Sequence, residues 1–180
     1  MTETSSTQSR RLILFITTLS AFMTDFMGSS INVALPVIGK EFNVSAVMLS
    51  WFATSYLLTS AVFLIPVGKL SDMYGRVKFF KIGISIFTLG SFLCGISLSA
   101  ELLLTFRALQ GMGASMIFTT STAILVSAFE PKERGKVLGI NVAAVYTGLS
   151  TGPFIGGIIT QAFGWKRNKY GEGIFTGNDI

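Results

Sequence analysis

The chain is 180 residues long, half of it apolar and only 13% charged, with a mean hydropathy of +0.63. Soluble domains carry about a quarter charged residues, so a fully solvated globule is not expected, and five or six spans of about 20 residues leave no room for a soluble catalytic domain. With no histidine and Cys94 as its one cysteine, the chain has no means for a disulfide framework, a histidine metal site or a Ser-His-Asp triad, and its net charge of +5 is weighed against membrane topology before nucleic acid.

Charges divide the chain into apolar stretches that predict five membrane-spanning helices, near residues 12–35, 48–69, 79–98, 102–125 and 137–160. Each is long enough to cross about 30 Å of hydrocarbon. Their apolar character is continuous, unlike the alternation of a barrel strand. Residues 1–11 are polar and read as a disordered cytoplasmic leader. Ser9-Arg10-Arg11 has the look of an export signal, but the apolar run continues past Asp25 to Ala34 without a cleavage site, so a retained first span is the simpler reading.

The first span holds Asp25, followed by Asn32-Val33-Ala34-Leu35-Pro36. An ionised aspartate at that depth costs roughly 2.5–3.5 kcal/mol on an insertion scale. It calls for a polar cavity, a cation partner or a retained proton, and it reads as a proton or cation site; the plain alternative is a structural hydrogen bond to another helix. Between spans two and three lies Gly68-Lys69-Leu70-Ser71-Asp72-Met73-Tyr74-Gly75-Arg76-Val77-Lys78. It reads as a basic cytoplasmic loop in which Gly75 suits a tight turn, and Asp72 pairs with Arg76 if the stretch is helical.

Span four carries Arg107 one to two turns inside its start, with Gln110 one turn further on the same face and Gly111, Gly113, Ala114 and Ser115 allowing close packing. Arg107 either faces a cavity or snorkels outward. The charged segment Glu130–Lys136 reads as an inside loop rather than as acid–base machinery. In span five, Gly148, Gly152 and Gly156 recur every four residues and line one face, Pro153 bends the helix, and Gly157 follows. Cys94 reads as a small packing residue, and Trp51 and Trp165 as interfacial anchors.

With the N-terminus inside, the cytoplasmic segments carry Arg10, Arg11, Lys69, Arg76, Lys78, Lys81, Lys132, Arg134 and Lys136, against Lys40 outside before the tail. That bias predicts a multi-pass plasma-membrane protein with a cytoplasmic N-terminus. It also accounts for the net positive charge without nucleic acid.

Taken in order, these motifs resemble the major facilitator superfamily. Gly68–Lys78 looks like its signature loop between helices two and three, Leu103–Ser115 like its helix-four arginine motif, and Gly148–Gly157 like the helix-five motif of antiporters. Asp25 with Asn32–Pro36 looks like the helix-one motif of the fourteen-helix drug:proton antiporter branch. The resemblance covers about residues 12–165. It implies an all-α integral membrane fold, here an incomplete N-terminal six-helix half, that works by alternating access between two halves. It implies that Asp25, Arg107 and Gln110 serve proton coupling or substrate, that Gly68, Asp72, Gly75, Arg76 and Lys78 form a gating loop, and that Gly148, Gly152, Pro153, Gly156 and Gly157 shape helix five. No cofactor is implied beyond the proton gradient as energy source.

The chain departs from that pattern after Trp165. Residues 166–180 form a polar tail too short to span, with Lys166, Arg167 and Lys169 on the side where the charge rule disfavours them. The expectation is a truncated or fragmentary chain that needs a missing C-terminal half for transport. The resulting function reading is proton-coupled efflux of drugs or other small molecules. The alternatives are a non-transporting membrane fragment that modulates a full-length partner, and a superfamily transporter of a metabolite. An enzyme is not expected.

Overall fold

The computed structural model describes residues 2–163 and is entirely helical. The helices are α1 (Thr2–Phe42), α2 (Ala46–Tyr74), α3 (Arg76–Gly95), α4 (Ala100–Ala128) and α5 (Pro131–Phe163). All five are long and apolar enough to cross a membrane. Pro36, Pro66 and Pro153 lie inside helices that continue through them, a pattern tolerated where neighbouring helices satisfy the freed backbone groups. The predicted tail 166–180 and Trp165 lie outside the described residues.

Three expectations change, one of them Glu130–Lys136, read as an inside loop, where α5 has already begun at Pro131. Residues 2–11, read as a disordered leader, are the first turns of α1. Propagating a helix that the apolar span has already nucleated costs far less than starting one. The segment Gly68–Lys78, read as a loop, is almost wholly helical: α2 runs to Tyr74 and α3 starts at Arg76. The reversal is made by Gly75 alone, at φ +104°, a conformation that L side chains rarely adopt. Elsewhere Asn43, at φ 48°, ends α1. The hydroxyls of Ser45 and Ser99 cap α2 and α4 by accepting from the backbone N–H groups of Met48 and Leu102, each at 3.3 Å.

The contacts give the directions. Along α5, Gly148 meets Phe22 and Phe26, Gly152 meets Phe26 and Ser29, and Gly156 meets Ser30, so α1 and α5 run parallel. Arg107 meets Phe52, Gly111 meets Tyr56 and Thr119 meets Gly68, so α2 and α4 are parallel too. Gly83 lies at Met116 and Gly90 at Gln110, so α3 and α4 are antiparallel. This alternation is what a chain threaded repeatedly through a bilayer produces. α4 packs mainly on α2 and α3, and α1 mainly on α5, with lighter contact between the two groups. One buried apolar cluster joins Ile31, Ala34 and Ile38 to Phe52, Cys94 and Leu103; Cys94 is a packing residue there. Phe15, Leu58, Ile65, Leu89, Phe92 and Phe154 are exposed, as suits surfaces that face lipid.

Candidate functional site

Among the described residues Arg107 is the largest fully buried side chain, 2% exposed, and it does not snorkel. Its Nε donates to the carbonyl of Phe52 at 3.1 Å and its Nη1 to Oε1 of Gln110 at 2.6 Å. The guanidinium carbon stands 4.5 Å from the centre of the Tyr56 ring, within cation–π range. Gln110 Nε2 passes the chain on to Ser91 Oγ at 2.7 Å, and Ser91 donates to the Phe87 carbonyl at 2.8 Å. A cation is thus held in the bundle by α2, α3 and α4. Its charge is spread over an acceptor chain and an aromatic face, with no carboxylate among these contacts.

The carboxylate of Asp25 lies on α1, and its Oδ2 is buried without a hydrogen-bond partner. An unsatisfied buried oxygen is costly in apolar surroundings, so its retention needs a reason beyond packing. Tyr56, whose ring lies under the Arg107 guanidinium, also lies against Gly28 of α1, one turn beyond Asp25. Tyr56, Ser91 and the Phe52 carbonyl were not singled out from the sequence. Tyr56 stands four residues after Phe52, one turn along α2, and that spacing was the available signal.

A second cluster sits at the other end of α2 and α4. Arg76 Nε pairs with Asp72 Oδ1 at 2.8 Å, the i, i+4 contact expected from the spacing. Its Nη1 also donates to Ser127 Oγ at 2.6 Å and to the Ala123 carbonyl at 3.2 Å. Arg76 therefore places positive charge on the last turns of α4, where the helix dipole favours it. Asp72, Gly75, Arg76 and Lys78 line a cavity of about 590 Å³ with Ser71 and Ser127. Gly68 lies two turns up α2 against Thr119 and does not line this cavity.

The glycines of α5 let α1 approach to backbone distance. A Cβ on Gly148 would fall 2.6 Å from the Phe22 carbonyl, and one on Gly156 2.9 Å from Ser30 Cβ. One on Gly152 would overlap Ser29 Oγ. Ser30 Oγ, 2.7 Å from the Phe26 carbonyl, also reaches the Gly152 carbonyl at 3.0 Å, which adds a polar clasp between the helices. Gly157 is looser, its nearest neighbour being Val33 Cγ1 at 3.4 Å.

Near the start of α1, Arg10 lies 3.9 Å from Glu130 and 3.8 Å from Glu133. The hydrogen bond from Lys132, followed by the charges of Lys132 and Arg10, holds the Glu130 carboxyl below its ordinary range. A lowered folded value stabilises above the unfolded value and is lost as pH falls through the folded one. Hydrogen exchange at Arg10–Leu12, corrected for its intrinsic pH dependence, is expected to rise modestly as pH falls from neutral to below the ordinary glutamate range. Unchanged protection would mean that these exposed pairs tether nothing.

The family model described as Major Facilitator Superfamily matches residues 14–175. The chain belongs to the major facilitator superfamily. Its membership points to a membrane transporter rather than an enzyme. Among its relatives in the superfamily, multidrug resistance protein Stp of Mycobacterium tuberculosis (strain CDC 1551 / Oshkosh) is 41% identical over 160 residues, 88% of this chain and 30% of Stp. The riboflavin transporter RibZ of Clostridioides difficile (strain 630) is 38% identical over 154 residues, 86% of this chain and 34% of RibZ. A crystal structure of a bacterial homologue of the human lysosomal transporter Spinster, inward-facing and unoccupied, superposes with a TM-score of 0.68 at 25% identity, covering 86% of this chain and 31% of that one. The chain thus spans about a third of the length of the superfamily members it matches.

Proposed function

We propose that this chain is the N-terminal portion of a proton-coupled exporter of drugs or similar small molecules. Its N-terminus is cytoplasmic, and the proton gradient is its energy source. The observation that carries the reading is the presence of a carboxylate on α1 with one buried, unpartnered oxygen and a buried guanidinium network on α4, two ionisable groups inside apolar helices. Intramembrane ionisable residues mark ion and proton paths by default. A proton taken by Asp25 neutralises an otherwise costly charge, so loading and release follow which side of the membrane the site faces. Asp72, Gly75, Arg76 and Lys78 act at the cytoplasmic end, where the clamp of Arg76 on α4 resists opening. The α5 glycines keep α1 and α5 moving as one unit.

Transport on this reading is a property of the longer protein, and the 180-residue chain alone inserts without moving substrate. The test is efflux of ethidium from proteoliposomes of the complete transporter under an imposed pH gradient. Asp25→Asn is expected to cut gradient-driven efflux about tenfold or more. Gradient dependence that survives this change removes Asp25 from the mechanism. The likeness to RibZ supports a second reading, with an aromatic metabolite as cargo; competition of ethidium efflux by riboflavin separates the two.

A further inference from the structure

We propose that Tyr56 is the positioning residue that couples Asp25 to Arg107, its ring seating the guanidinium and its hydroxyl edge facing the helix that carries the carboxylate. The inference deepens the proton-coupling reading above and rests on it.

Tyr56 is held on two sides. On the α4 side, Gly111 is pressed so close that a Cβ there would overlap the Tyr56 carbonyl, and the Arg107 guanidinium carbon lies 4.5 Å from the ring centre. On the α1 side, a Cβ on Gly28 would fall 3.3 Å from Tyr56 Cε1 and 3.5 Å from the hydroxyl oxygen. Gly28 is one helical turn beyond Asp25, so the phenol edge lies along the face of α1 from which the acid projects. The carbonyl that receives Arg107 Nε belongs to Phe52, one turn before Tyr56 on the same helix. One turn of α2 therefore supplies both an acceptor and an aromatic face to the guanidinium.

The charged groups on the phenol's two sides are Arg107 of α4, 4.5 Å from the ring centre, and Asp25 of α1, one turn before the Gly28 that meets the phenol edge. Gln110 ties the same guanidinium to the neutral Ser91 of α3, the helix that also carries the buried Cys94 thiol. On the α5 side of this part of α1 stand Gly148 and Gly152. A phenol placed this way responds to the proton on Asp25 by turning or polarising its hydroxyl. The ring passes that change to the cation bound on its face.

The test uses the 180-residue chain in lipid vesicles and infrared titration of the carboxylic acid band that Asp25→Asn removes. Tyr56→Phe keeps the ring and its contact with Arg107 and deletes the hydroxyl. It is expected to insert with unchanged helicity and to move the Asp25 midpoint by about half a pH unit or more. An unmoved midpoint overturns the proposal. A reciprocal readout singles out Tyr56 among the four tyrosines: the ring band that Tyr56→Phe removes shifts with the same midpoint as the Asp25 band. A ring band indifferent to that titration also overturns it. Neither readout requires transport, so a failed efflux assay and a failed coupling assay are told apart.

Discussion

Arg107→Leu is expected to abolish gradient-driven efflux in the complete transporter, by about a hundredfold or more, while costing only about 1–2 kcal/mol of stability. The asymmetry follows from the surroundings of Arg107. Leucine removes a charge whose burial is expensive, and that offsets part of the loss. What remains is an orphaned Gln110 Oε1, the acceptor of the 2.6 Å bond, and a poorly filled space beside Tyr56. Arg107→Lys separates charge from geometry. Lysine keeps the cation but has no rigid fork to serve Phe52 and Gln110 together, so efflux should fall to an intermediate level. Unfolding in sodium dodecyl sulfate followed by circular dichroism gives the stability, and ethidium efflux the function. Equal efflux for both variants and the parent would reduce Arg107 to a structural tie.

The second large effect is on stability. Gly152→Leu puts a Cβ into Ser29 Oγ and 2.7 Å from the Phe26 carbonyl. The serine hydroxyl can rotate; the carbonyl belongs to the backbone of α1 and cannot, so α5 must move away. That breaks the Ser30 contact to Gly152 at 3.0 Å and loosens Gly148 from Phe22. A loss of about 3 kcal/mol is expected, at the upper end for overpacking. Gly157→Ala is the control. Its nearest neighbour, Val33 Cγ1, is a side-chain atom at ordinary contact distance, so that change should be close to neutral. If the two variants unfold together, the α1–α5 face is not held by close approach.

The five spans were legible because burial in lipid demands long uncharged runs, and the Asp72–Arg76 pair was legible because a helix brings residues four apart together. The glycine stripe of α5 announced a close neighbour but not that the neighbour was α1. The turn at Gly75 was read too broadly, since turn residues mark where a chain reverses without saying how few residues the reversal takes. Arg107 shows the wider limit. Whether a long cation snorkels or stays inside depends on what awaits it, and its partners include a carbonyl 55 residues away on α2. No local pattern carries such a partner. The same holds for Tyr56, whose value lies in touching two helices distant in sequence.

The arrangement of close approaches also has a mechanical side. Within the α1–α5 pair, and within the α2–α3–α4 group, helices meet at glycines with backbone against backbone. Between the two sets, Gly28 meets the ring of Tyr56, Gly39 meets the side chain of Leu49, and Ile31, Ala34 and Ile38 pack on Phe52, Cys94 and Leu103, so side chains make the contact. Sliding there costs side-chain adjustment, whereas sliding inside either set forces backbone atoms into one another. The protein thus keeps its stiffness in two blocks and its compliance in one seam, and the seam passes beside Asp25.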